Sequence, residues 1–90
     1  MSDEFKIAET ENFHRRLKKI TDQHLKDKIS NFVYFQLRNN PFYGPNIKKL
    51  KGEYSGIYRY RISDYRIFYT IDTNQKLVFI IDIELRKNLY

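Results

Sequence analysis

Apolar positions change period along this chain. Residues 4–9, EFKIAE, set Phe5 and Ile7 against charged neighbours, which predicts a short strand. Thr10 then offers a side-chain oxygen to open a helix. Phe13, Leu17 and Ile20 follow at i, i+4 and i+7, one helical face, while Arg15, Arg16, Lys18 and Lys19 lie off it. Thr21 and Asp22 read as a second start signal at a tight helix–helix junction. Leu25, Ile29, Phe32, Val33 and Leu37 form the next apolar stripe. Asn39, Asn40 and Pro41 stop it, because proline disfavours helix at the residue before it. Tyr34 and Phe35 fall off the stripe. Two roles are open for them: extra packing at a sheet edge, or part of a partner-binding face.

Residues 40–56, NPFYGPNIKKLKGEYSG, hold both prolines and all three glycines and read as a long connector. From Ile57 the period becomes two. Residues 57–62, 65–71 and 76–84 are predicted strands, separated by turns at Ser63-Asp64 and at residues 72–75. Connections this short join antiparallel neighbours. The order β-α-α-β-β-β predicts one α+β domain over residues 1–90: a mostly antiparallel four-stranded sheet with a helical hairpin packed on one face.

Strand alternation sorts the side chains. Tyr58, Tyr60 and Ile62 share one face, and Ile57, Arg59 and Arg61 the other. Tyr65, Ile67, Tyr69 and Ile71 should meet the helices, with Arg66 and Phe68 opposite. In the last strand, Leu77, Phe79, Ile81, Ile83 and Leu85 are expected on the apolar face, and Asp82 and Glu84 on the polar one. The sheet side away from the helices therefore collects Arg59, Arg61 and Arg66. Arg86 and Lys87 stand at the strand end and Lys48, Lys49 and Lys51 at the rim. A structural role competes for part of this set: Arg59 and Arg61 pairing across strands with Asp82 and Glu84.

Seventeen Lys and Arg against 11 Asp and Glu give a charge of +6, with a pI near 9.6, which favours a polyanion or an acidic partner. Cysteine is absent, excluding a disulfide framework, a thiol nucleophile and any thiolate metal site. The longest apolar run, residues 77–81, has five residues, far short of the roughly 20 of a membrane span. No leader-like stretch opens the chain, so the expectation is a cytoplasmic protein without a membrane partner. His14 and His24 are expected at the surface. With no metal-type cluster, no glycine-rich phosphate loop and no carboxylate pair spaced for a cleft, neither metal nor cofactor is expected. Lys, Arg and Tyr remain. Such groups suffice to cleave RNA, whose 2′-hydroxyl supplies the nucleophile, by orienting it and stabilising the pentacoordinate phosphate. Arginine stays protonated above about pH 12, so its natural role is charge stabilisation.

Residues 58–69, YRYRISDYRIFY, resemble the central hairpin of the RelE/ParE toxin superfamily, YRhRhGDYRhhY, where h is apolar. The KLKG of residues 49–52 and the RKNLY of residues 86–90 match its flanking motifs, so the resemblance spans the chain. It implies a toxin of a bacterial toxin–antitoxin system, neutralised by a small acidic antitoxin. RelE-like members cleave mRNA in the ribosomal A site, and ParE-like members inhibit DNA gyrase. By position, the resemblance makes Arg59 the basic residue proposed as proton acceptor and Arg66 the phosphate-stabilising arginine. It makes Arg86 the C-terminal basic residue, and Tyr90 the tyrosine that stacks on or orients the substrate. Lys48, Lys49, Lys51, Arg61 and Lys87 would add RNA contacts. The chain departs from the pattern at three places. Ile57 stands where some ribosome-dependent members have a second lysine, Leu85 where many have a histidine, and Arg59 in place of a titratable lysine. The phosphate-gripping set is intact, while the proton-exchanging set is poor. The expectation is a metal-independent endoribonuclease acting on ribosome-bound mRNA, with a gyrase-directed or otherwise non-nucleolytic toxin bound by an antitoxin as the alternative.

Overall fold

In the computed structural model, residues 4–85 are described. Strand β1 (Lys6–Glu9) leads into helix α1 (Glu11–Lys18), and Thr10 caps it as its residue type implies, accepting from the Phe13 N–H. The Thr10 hydroxyl also donates to the Ile80 carbonyl at 2.8 Å, so one side chain starts the helix and ties it to the sheet. Asp22 caps α2 (Gln23–Lys28) through the Leu25 N–H. A π-turn (Ile29–Val33) follows, and α3 (Tyr34–Asn39) completes the second arm of the hairpin.

The π-turn corrects the predicted stripe. Its closing bond runs from the Tyr34 N–H to the Ile29 carbonyl, five residues back. Widening the turn by one residue puts positions four and five after Ile29 over the core, rather than three and four. Val33 and Tyr34 are therefore buried, and Phe32, expected inside, is 67% exposed. Tyr34, expected off the stripe, is 8% exposed and donates to a Glu9 carboxylate oxygen at 2.6 Å. Phe35 is exposed beside Phe32.

The sheet has five strands rather than four, in the order β1-β5-β4-β3-β2. The extra one is β2 (Ile47–Lys49), from the stretch read as connector. Two prolines, three glycines and only three paired residues hide it from a period-two pattern. It pairs antiparallel with β3 (Tyr58–Ile62), which pairs with β4 (Tyr65–Asp72), which pairs with β5 (Leu77–Leu85). Strand β1 adds to β5 in parallel.

A second correction falls in β5. Tyr69 faces Ile80 but Phe68 faces Asp82, so Ile81 is an extra, bulged residue. Alternation flips there. Before the bulge, Val78 and Ile80 are fully buried under the helices, and Leu77, Phe79 and Ile81 fall on the opposite face from the one expected. After it, Ile83 is buried and Glu84 points away, as predicted. The core lies between helices and sheet, centred on Phe13, Leu37, Ile67, Tyr69 and Ile80. A run of ring contacts, Phe5 to Phe42 to Tyr58 to Tyr69, knits the N-terminus to the sheet. No described helix is long and apolar enough to cross a membrane.

Candidate functional site on the open sheet face

The sheet face away from the helices is where the basic residues meet. Register sets them in two rows. Lys48, Arg59, Phe68 and Asp82 stand side by side across β2 to β5, and Arg61, Arg66 and Glu84 form the next row. Arg66 is directly across from Arg61 and diagonal to Arg59, a spacing of roughly 7–8 Å between diagonal neighbours. A cleft of about 410 Å³ lies over these rows, with Arg59, Arg66, Phe68, Ile81, Asp82 and Glu84 on its sheet side. Leu50, Tyr54 and Ile57 close it from the β2–β3 connection.

Local sequence explains that wall. Residues Gly52–Tyr54 form a 3₁₀ turn, bracketed by Gly52 at φ 70° and Gly56 at φ 94°. Both values lie in the left-handed region that costs other residues strain and glycine nothing. The pair of reversals lifts Tyr54 over the sheet, and the Leu50 N–H to Ile57 carbonyl bond at 2.9 Å closes the loop.

The bulge at Ile81 shapes the opposite side. It brings Ile81 and Asp82 to the cleft together. Asp82 is not directly opposite Arg59 or Arg61, because β4 lies between β3 and β5 and Phe68 is its register partner. Its carboxylate instead meets Arg16 of α1 at 3.2 Å and accepts from the Ile83 N–H at 2.7 Å. Glu84 is in register with Arg66, not with Arg61. Neither carboxylate is therefore the direct register neighbour of Arg59 or Arg61.

Of the other residues singled out, Lys48 shares the row of Arg59, but Lys49 turns to the helix side, its ammonium 6.0 Å from the centre of the Tyr58 ring. Lys51 is exposed on the connection, and Arg61 is exposed at the β3 edge beside Lys28 and Phe32. Arg86, Lys87 and Tyr90 lie outside the described residues. Two cleft residues carried no role in the sequence reading, Tyr54 and Phe68, and Glu84 was considered only as a pairing partner for Arg59 or Arg61. Phe68 was legible as sharing the Arg66 face. Tyr54 and Glu84 needed the turn and the sheet register. The buried tyrosines are poor proton donors. Burial, then the bond to Glu9, raises the Tyr34 phenol far above its ordinary value, and burial first raises Tyr69, whose hydroxyl donates to the Pro41 carbonyl at 2.7 Å.

The sheet thus carries a helical hairpin on one face and an arginine-lined cleft on the other. The model of the ParE toxin of type II toxin–antitoxin systems matches residues 7–90, and the chain belongs to that family. No curated protein matches it. Among solved structures, it is similar to the toxin of the RelBE2 toxin–antitoxin complex from Mycobacterium tuberculosis, with 25% identity and a TM-score of 0.79 over 92% of this chain and 99% of that one. The YoeB/ParE toxin from Agrobacterium tumefaciens superposes with a TM-score of 0.73 at 21% identity, over 90% of this chain and 98% of that one. In the RelB–RelE complex from Methanococcus jannaschii the values are 0.71 and 24%, over 91% and 93%. At these identities the last two show a shared fold.

Proposed function

We propose that this toxin is an endoribonuclease that cuts mRNA on the ribosome at its open sheet face. The observation that carries the reading is the cleft itself, where Arg59 and Arg66 stand beside an aromatic ring, Phe68, under a second one, Tyr54. Guanidinium forks suit phosphate oxygens, and rings suit unstacked bases. The 2′-hydroxyl attacks the adjacent phosphorus, and the arginines stabilise the charge that builds on the equatorial oxygens. Arg86 and Tyr90, outside the described residues, complete the catalytic set in this reading, and Lys48, Lys51, Arg61 and Lys87 guide the backbone of the RNA.

An antitoxin is the second partner. The basic charge and the exposed pair Phe32 and Phe35 suit an acidic amphipathic segment. The family match favours one other reading, a toxin directed at DNA gyrase. Two assays on the purified chain separate them: cleavage of ribosome-bound mRNA, and DNA supercoiling by gyrase. Cut mRNA with unchanged supercoiling is the expected result. Inhibited supercoiling with intact mRNA would overturn the nuclease reading.

A further inference from the structure

The arginines of the cleft cannot take the nucleophile's proton, since guanidinium is donor-only and does not deprotonate in proteins. Among the described residues the cleft holds two carboxylates, Asp82 and Glu84. Asp82 is committed to Arg16 and to the Ile83 N–H. The Glu84 side chain is exposed and enters none of the ion pairs among the described residues. It stands opposite Arg66, and directly opposed side chains have Cβ atoms about 4.5–5.5 Å apart. A phosphate gripped by Arg66 therefore holds its ribose within reach of the Glu84 carboxylate.

We propose that Glu84 is the proton acceptor for the 2′-hydroxyl, a role that rests on the RNA-cleaving reading above. The carboxylate takes the proton as the 2′ oxygen bonds to phosphorus. The bond from phosphorus to the 5′ oxygen breaks, leaving a 2′,3′-cyclic phosphate. The departing 5′ oxygen takes a proton from water, and the hydroxide so formed takes the proton back from Glu84. The charged and titratable groups facing Glu84 are Arg59 from β3, Arg66 and Tyr65 from β4, Asp82 from its own strand, Tyr54 from the 3₁₀ turn, Arg16 from α1, and Lys19, which caps the C-terminus of that helix.

The test compares wild type, Glu84→Gln, Glu84→Asp and Arg66→Ala in single-turnover cleavage of ribosome-bound mRNA. It also measures binding of a 2′-O-methyl RNA oligonucleotide, which cannot be cut. Glu84→Gln should cut ~10²–10⁴-fold more slowly, the usual worth of a general base. It should bind the uncleavable RNA as tightly as wild type or tighter, because a negative charge leaves the arginine face. Glu84→Asp should recover part of the rate. The fall in wild-type rate toward acid pH should be missing in Glu84→Gln. A Glu84→Gln protein that cuts at the wild-type rate while Arg66→Ala does not overturns the proposal and leaves the nuclease reading intact. Slower cutting with equally weakened binding also overturns it. A wild-type protein that leaves RNA uncut overturns both.

Discussion

The two faces of this sheet are built from the same residue types and put to opposite uses. On the helix side, Tyr34 and Tyr69 are sealed from water, and each hydroxyl has a partner, Glu9 and the Pro41 carbonyl. On the open side, Tyr54 and Phe68 line a cleft with Arg59 and Arg66. Period-two alternation makes this division possible: neighbouring residues such as Arg66 and Ile67 answer to different environments. In the RNA-cleaving reading proposed above, stability belongs to one face and phosphate chemistry to the other, so substitutions on the two faces should have separable consequences.

The sharpest break of that division is a cavity in the covered face. Phe13→Ala should lower the unfolding free energy by about 3–5 kcal/mol, measured in urea, because the ring is fully buried. Loss of toxicity in that variant would then track loss of folded protein. Next comes the reverse case. Arg66→Ala should slow mRNA cleavage ~10²–10³-fold, about 3–4 kcal/mol of barrier, while stability changes by about 0.5 kcal/mol or less. Arg66→Lys should recover only part, since a point charge replaces a fork. A folded Arg66→Ala protein that cuts at the wild-type rate would make that arginine structural.

A smaller effect probes the covered tyrosines. Tyr69→Phe leaves the buried Pro41 carbonyl without its donor and should cost about 1–3 kcal/mol. The folded-state values of Tyr34 and Tyr69 both lie above the ordinary phenol value of 10.0. Above about pH 10 the unfolded chain therefore releases protons that the folded chain retains, so their stabilisation is complete below that pH and declines above it. Denaturant midpoints measured from pH 8 to 11 should fall at the alkaline end, and fall less in Tyr69→Phe. The smallest effect on the fold belongs to the exposed rings. Phe32→Ser and Phe35→Ser should change stability by about 0.5 kcal/mol or less. Each should nonetheless weaken antitoxin binding by roughly tenfold if that patch is covered in the complex. Unchanged affinity in calorimetry, with a steep salt dependence, would move the antitoxin to the arginine face.

Much of the fold was legible because its signals are local. Thr10 and Asp22 cap helices wherever they stand, since the bond each makes spans three residues. The alternation of residues 58–62 and 65–71 assigned Arg59 and Arg66 to one face without knowledge of their neighbours. The same reading misplaced Phe32, Tyr34 and the first half of β5. A π-turn and a bulge each insert one residue into a regular period, and the composition of the segment is the same with or without it.

Chain order and side-chain type determined the helix-on-sheet architecture, the two-faced strands and the concentration of arginine on one face. Only the tertiary structure decided what those arginines stand beside. Sheet order put β4 between β3 and β5, so Glu84 fell opposite Arg66, and Asp82 was drawn to Arg16 on α1. Two glycines in the left-handed region raised Tyr54 over the same face. Pairings of this kind join residues 18 to 66 positions apart. They depend on register and on the path of the backbone, which follow from packing the whole core at once and leave no periodic mark in the chain.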